Sequence, residues 1–350
     1  IKEIRKSLGV QNRDGARILP GNLVQEKSHI DINVVLAKDI QDYLDGEYKE
    51  IGDKLKKLLR DPFFAYKTLR NKEEYRNHVL DQLKTLAKQG LTSYSFPIEY
   101  GGKNKPGDHI AIFENLAYHD LSLTVKYGVQ LGLFGGAIQG LGTEPHHKKY
   151  LKPMMDMELL GCFAMTETNH GSNVKGLETV AVYNHKTSSF TINTPHEKAG
   201  KEYIGNAMHC TMAVVFAQLL VDGKNHGVHA FLVKVRDADH NLLSGIRIED
   251  CGYKMGLNGV DNGRLWFNNV SIPKENLLNK YGDVDANGAY TSPIENPNKR
   301  FFTMLGALVT GRVSVGLAGN SAAKTALAIA IKYGSQRRQF ASAEDVPETI

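Results

Sequence analysis

Leu160-Gly-Cys-Phe-Ala-Met-Thr166-Glu167-Thr168-Asn169-His170-Gly171-Ser172-Asn173 leads an apolar run, Leu159 to Met165, straight into eight residues of which seven carry side-chain donors or acceptors. A second apolar, β-branched run follows, Leu177 to Tyr183. The pattern is strand, polar elbow, strand. Such an elbow gathers hydroxyls, an amide and backbone N–H groups at the end of a rigid sheet, where a polar planar ligand can be held. A turn that satisfies its own polar groups is the other reading of the same residues.

Downstream of the elbow, short β-rich runs recur at Phe190–Asn193, Met212–Leu220, Val228–Val235, Ile246–Glu249 and Arg264–Ile272. With the two runs that flank the elbow they make seven expected strands, the signature of a small antiparallel barrel or sandwich. Upstream the texture is helical. Amphipathic spacing predicts one or two helices from Asp31 to Leu59, broken at Asp61-Pro62, and another from Lys72 to Lys88 that buries Tyr75, Val79, Leu83 and Leu86 before Gly90. Helices are also expected from Gly107 to Tyr118, from Leu123 to Leu141, and from Glu144 to a stop at Pro153. The Leu123–Leu141 segment is interrupted by Gly128, Gly132, Gly135, Gly136 and Gly140. Glycine costs a helix up to ~1 kcal/mol per residue, so either close packing against a backbone or flat ligand, or a thinned core helix, is expected there.

Residues 1–30 read as an arm or loop and Pro273 to Arg300 as a linker, with Phe301 to Tyr333 as a helix pair or one long helix. The expected fold is therefore α+β: an N-terminal helical domain (1–158), a central β-domain carrying the elbow (159–275), and a linker with the start of a C-terminal helical domain (276–350). That last domain is expected to be incomplete, since Ala341 to Ile350 close no element. The start at Ile1 likewise suggests a true N-terminus elsewhere.

A chain of 350 residues with net charge +5 has ample length for a core. Lysines and arginines are interspersed with acids rather than clustered, which argues against a nucleic-acid partner. No apolar run reaches the length of a membrane span. Cys162, Cys210 and Cys251 are odd in number and form no CxxC, pointing to free thiols in a reducing compartment. The Asn269-Val-Ser271 sequon stands alone and is read as chance.

Several motifs fail on inspection. Gly319-Asn-Ser-Ala-Ala-Lys324-Thr325 has Ala323 where a phosphate loop needs glycine, and it sits inside a helical run. GxGxxG in a strand–helix setting and GxSxG are both lacking. His196-Glu197 lacks the second histidine of a zinc helix, and His209-Cys210 has no matching ligand pair, so no metal is expected.

Cys162-Phe-Ala-Met-Thr-Glu-Thr-Asn-His-Gly-Ser-Asn-Val-Lys-Gly-Leu-Glu-Thr179 resembles the acyl-CoA oxidase branch of the acyl-CoA dehydrogenase superfamily. So do Tyr203-Ile-Gly205-Asn206, Lys254-Met-Gly-Leu-Asn-Gly-Val-Asp-Asn-Gly263, Ile272-Pro-x-Glu-Asn-Leu-Leu278 and Arg337-Arg-Gln-Phe340. The resemblance runs in order over about residues 31 to 345. It implies FAD as cofactor, an acyl-CoA thioester as substrate and molecular oxygen as electron acceptor, with α,β-dehydrogenation to a trans-2-enoyl-CoA and release of hydrogen peroxide in fatty-acid β-oxidation. It places Thr166 and Gly205 at the flavin, Ser172 near its diphosphate or the thioester, and Arg337 with Gln339 and Phe340 on the FAD of a neighbouring subunit. That last point implies a homodimer or higher homo-oligomer. Arg312 falls near the substrate, and Glu167 organises the elbow.

The family's usual base is a glutamate that would lie beyond residue 350. A few relatives carry it at the position of Gly311, which cannot serve, so no catalytic base is named. A dehydrogenase passing electrons to an electron-transferring flavoprotein, and a non-catalytic flavin- or CoA-binding fragment, are the alternatives. The compartment implied is cytoplasmic for a bacterial protein and peroxisomal for a eukaryotic one.

Overall fold

The computed structural model describes residues 34–338 except 66 and 68–70. The expected N-terminal arm, Gln339 and Phe340 lie outside the described residues. Residues 55–321 form one compact unit, and the described parts of 1–54 and 322–350 belong to a second.

Helices α1 (Val34–Asp45) and α2 (Lys49–Leu59) are joined by a 3-10 turn at Gly46–Tyr48. Helix α3 (Lys72–Lys88) starts where the Asn71 side chain accepts from the N–H groups of Glu73 and Glu74, two of the donors that a helix start leaves unpaired. Val79, Leu83 and Leu86 are buried as the spacing required, whereas Tyr75 is half-buried and donates its hydroxyl to Asp120 at 2.9 Å. Helix α4 (Pro106–Ala117) precedes a continuous helical run in which α5 (Leu121–Tyr127) widens into a π-helix (Gly128–Gly135) and tightens again as α6 (Gly136–Leu141). Helix α7 (Glu144–Met155) runs through Pro153 rather than stopping there. The proline lies in the last turn, so the helix ends only two residues beyond it, with the Asp156 N–H on the Lys152 carbonyl.

Nine strands follow: β1 (Gly161–Ala164), β2 (Val180–Asn184), β3 (Ser189–Asn193), β4 (Lys201–Ile204), β5 (Met212–Val221), β6 (Lys224–Lys234), β7 (Ile246–Asp250), β8 (Gly263–Phe267) and β9 (Val270–Pro273). The run read as one strand from Arg264 to Ile272 is two, separated at Asn268-Asn269, where Asn269 takes a left-handed φ of 51°. Six strands form one sheet in the order β1-β5-β2-β3-β9, with β6 on β5, and β4-β8-β7 form a second. The two sheets enclose a shared core that includes Cys162, Ala181, Phe190, Val215 and Phe231 from one and Ile204, Leu265 and Phe267 from the other. Most pairings are antiparallel as expected, but β1 and β2 both run parallel to β5. The expected linker carries a short hairpin, β10 (Asp283–Val284) with β11 (Tyr290–Thr291), before α8 (Pro297–Leu305) and the 26-residue α9 (Val309–Gly334). Among the described residues, no single helix is long and apolar enough to cross a membrane.

Buried and half-buried ion pairs join the helical layer to the sheets. Arg76 of α3 holds Asp250 of β7 through two bonds, at 2.8 and 3.0 Å. Lys126 of α5 is 1% exposed and meets Asp261 just before β8, at 0% exposed, at 2.5 Å. Burial raises the Asp261 carboxyl, but Lys126, His209 and local N–H groups outweigh it and hold it below its ordinary value. The folded carboxyl therefore releases its proton more readily than the unfolded one. Its stabilisation is complete above the ordinary 3.8 and is lost as pH falls through the lowered value. We expect Lys126→Met to cost about 3–5 kcal/mol at neutral pH, and Asp261→Asn to flatten the acid limb of the stability curve, both read by urea denaturation across pH.

Candidate functional site

The elbow exists because of how β1 and β2 share one edge of β5. Strand β1 covers Met212 to Val215, and β2 takes up the same edge at Gln218 to Leu220. Between them the chain leaves the ladder for residues 165–179, opposite Phe216 and Ala217, so backbone groups there lose their β partners. Lys201 fills the gap from the second sheet. Its ammonium donates to the carbonyls of Phe216 (2.7 Å) and Met165 (3.1 Å) and to Glu167 Oε1 (2.9 Å). Glu167 in turn accepts from the N–H groups of Glu178 (2.7 Å) and Thr179 (2.9 Å) and from the Thr179 hydroxyl (2.7 Å).

Both charged side chains are fully buried. Burial raises the Glu167 carboxyl, yet Lys201 and these hydrogen bonds prevail and keep it below its ordinary value. Burial also pulls the Lys201 ammonium down, to about 8, against the pull of Glu167.

This pair ties the elbow's two ends together and leaves its tip free. Thr168, Asn169, Gly171, Ser172 and Asn173 are exposed. Among the described residues, no hydrogen bond takes up the backbone N–H of Gly171, Ser172 or Asn173. Three successive free amides on an exposed turn suit the oxygens of a diphosphate. Thr166 binds Glu202 twice: its hydroxyl donates to the Glu202 carbonyl (3.1 Å), and its own carbonyl accepts from the Glu202 N–H (3.1 Å). That contact brings the elbow beside the turn that follows β4, where Gly205 lies.

The Gly205–His209 turn is fixed from below. Asp261 accepts from the N–H groups of Met208 and His209, and Lys126 donates to the side-chain Oδ1 of Asn206 at 3.2 Å. A Cβ at Gly205 would come within 3.0 Å of Val129 in the π-helix, so the close approach is to the chain's own wall. Tyr203, in β4 two residues before this turn, is 67% exposed with a left-handed φ of 56°.

Behind the turn, in the unit of residues 55–321, lies a cavity of about 910 Å³. Gly128, Gly132, Gly136 and Gly140, spaced four apart, line it together with Phe96, His109, Phe113 and Leu131. The glycines divide by task. A Cβ at Gly128 or Gly135 would collide with Phe113 or Met154 at 2.7 and 2.6 Å, whereas one at Gly132 would meet nothing within 4 Å. Close packing and an open wall thus both occur in the one segment. Thr310, Gly311, Arg312, Ser314 and Val315 of the α9 N-terminal part also line it, and among the described residues no carboxylate does.

Of the residues singled out from the sequence, Thr166 and Gly205 are thus drawn to adjoining turns, Ser172 sits on the exposed tip, and Arg312 lines the cavity. Arg337 is exposed just past the end of α9. Ligand atoms of Glu167, His170 and Glu178 lie within 4.8 Å of one another. The Glu167 oxygens are already taken by Lys201, Thr179 and Glu178 N–H, so the trio does not offer an open metal shell.

A helical layer, a two-sheet β-domain and a glycine-walled cavity among the helices define the acyl-CoA dehydrogenase fold class. Residues 47–158 match the acyl-CoA dehydrogenase N-terminal domain and residues 162–270 its middle domain, together more than half of the chain. The chain belongs to this family, and its similarity within it is to acyl-CoA oxidases. It is 48% identical over 242 residues to the peroxisomal acyl-coenzyme A oxidase 3 of Arabidopsis thaliana, covering 69% of this chain and 36% of that protein. To acyl-coenzyme A oxidase 2 of Yarrowia lipolytica it is 37% identical over 338 residues, 94% of this chain and 46% of the relative. The crystal structure of Yarrowia lipolytica acyl-CoA oxidase 1 superposes with a TM-score of 0.76 at 35% identity, covering 87% of this chain and 43% of that one. Acyl-CoA oxidase-2 of Caenorhabditis elegans, crystallised with FAD, ascaroside-CoA and ATP, gives 0.69 at 27% identity, covering 86% and 44%. The chain therefore spans less than half the length of these relatives.

Lys201→Met strands a buried carboxylate and two carbonyls, and should cost about 3–5 kcal/mol in urea denaturation. The double variant Glu167→Gln/Lys201→Met should recover part of that loss.

Proposed function

We propose that the protein is an FAD-dependent acyl-CoA oxidase. In this reading it converts acyl-CoA thioesters to trans-2-enoyl-CoA and passes the electrons to oxygen, releasing hydrogen peroxide. The observation that carries the reading is the largely apolar cavity of about 910 Å³, of the size and lining that enclose a long acyl chain. It adjoins, through Val129 and Gly205, the turn beside Thr166.

FAD fits the donor set. The free amides of Gly171 to Asn173 and the Ser172 hydroxyl would take the diphosphate. Thr166 and the Tyr203–Gly205 turn would face the isoalloxazine. Bound there, FAD supplies the acceptor for a hydride from the substrate's β-carbon. The chain's own contribution is placement and exclusion of water: the glycine stripe leaves room for the acyl chain, and Arg312 offers a cation at the cavity wall. The proton-abstracting carboxylate is assigned outside the residues that line this cavity. Arg337 is proposed to reach the FAD of a second subunit in a homodimer, with Gln339 and Phe340 beside it. The peroxisome is the proposed compartment, as it is for the Arabidopsis and human oxidases the chain resembles.

Adding acyl-CoA in air to the yellow protein should release one peroxide for each enoyl-CoA formed. Flavin bleaching without peroxide would contradict the oxidase reading and point to a dehydrogenase. Gly132→Leu should leave folding intact, because its Cβ enters open space, while lowering kcat/KM for long acyl-CoAs by about 10–100-fold through lost cavity volume.

A further inference from the structure

One side chain in the cavity wall holds a hydrogen-bond acceptor with nothing to accept. His109 of α4 lines the cavity and is 5% exposed. Its Nδ1 lies 3.1 Å from the Tyr127 hydroxyl, and that hydroxyl lies 2.9 Å from the Leu91 carbonyl oxygen. A carbonyl can only accept, so the Tyr127 proton goes to Leu91. The hydroxyl then receives the proton of His109 Nδ1. His109 is thereby held as the Nδ1–H tautomer, with a lone pair on Nε2.

The Tyr127 ring stacks on the imidazole at 5.3 Å between centroids and 26° between planes, which fixes the ring's orientation. Burial pulls the imidazole down to about 4, so it stays neutral at ordinary pH. Among the described residues, no donor reaches Nε2. Nε2 is not among the side-chain atoms sealed away without a partner, so its lone pair stays accessible, and the space that His109 lines is the cavity.

We propose that His109 determines substrate specificity: its Nε2 accepts a hydrogen bond from a hydroxyl carried on the acyl chain, so that the cavity favours hydroxylated acyl-CoA thioesters over plain chains of equal length. The proposal rests on the acyl-CoA reading of the same cavity. Phe113, one turn along α4, and Leu131 line it too. Polar side chains such as Asn104, Gln139 and Ser314 stand elsewhere in the lining; a placed acceptor such as His109 Nε2 is the arrangement that discriminates most sharply against an analogue lacking the group.

The test is calorimetric titration of the FAD-loaded protein with a saturated acyl-CoA and with its monohydroxy isomers, the hydroxyl moved carbon by carbon beyond the β-position. One isomer should bind about tenfold more tightly than the plain chain. That preference should vanish in His109→Leu and return in part in His109→Gln, whose carbonyl oxygen can accept in place of Nε2. Equal affinity for every isomer in the unsubstituted protein, or a preference that survives in His109→Leu, overturns the proposal while leaving the acyl-CoA reading standing. Absence of binding to any acyl-CoA, plain or hydroxylated, overturns both.

Discussion

A lysine that bridges a break in a β-ladder is the contact on which the rest of this site depends. Taking residues 165–179 out of the edge of β5 exposes backbone carbonyls inside a dry core, where unpaired polar groups are not tolerated. Lys201 reaches across from the second sheet to satisfy two of those carbonyls and Glu167 at once. Glu167 then draws in the far end of the loop through Thr179 and Glu178. A buried ion pair is a poor source of net stability, because desolvating two charges offsets most of their attraction. Its value here is positional. It lets a polar loop leave a sheet whose central strand is buried along almost its whole length, and it fixes where that loop stands.

The second buried pair extends the same logic to the helical layer. Lys126 and Asp261 anchor the turn after β4, so that Gly205 abuts Val129 in the π-helix. A π-helix is an uncommon, less favourable winding that recurs at functional sites. Here its glycines serve two opposite needs: some admit neighbouring rings at close range, and others leave space. The seat proposed for a flavin and the chamber proposed for an acyl chain thus have a common wall, held by charges that neither ligand needs to touch.

Much of this was legible in the sequence, for reasons that can be traced to particular residues. The elbow announced itself because polar residues interrupt two apolar runs, and alternation located most of the strands. Strand β4 was missed because Lys201-Glu-Tyr-Ile carries two charges in four residues, and nothing local reveals that the lysine points into the core. The parallel pairing of β1 and β2 with β5 is set by contacts far apart in sequence, beyond what periodicity reports. Pro153 read as a stop, although a proline in the last turn forfeits only one helical bond. The glycine-rich segment was flagged, but its π winding and its cavity depend on Phe113, Met154 and α9. His109 gave no sequence signal: a lone histidine in an amphipathic helix reads as core, and only Tyr127 and Leu91 together define its free nitrogen.

The central claim is that the tip of the elbow, held from beneath by Lys201 and Glu167, is the seat of FAD. Amide hydrogen exchange measured with and without FAD addresses it most directly. The account predicts that Gly171, Ser172 and Asn173, whose N–H groups have no partner among the described residues, become protected when FAD is added, with little change in strands β7 and β8. Unchanged exchange at those three amides in a protein shown to carry FAD would contradict it.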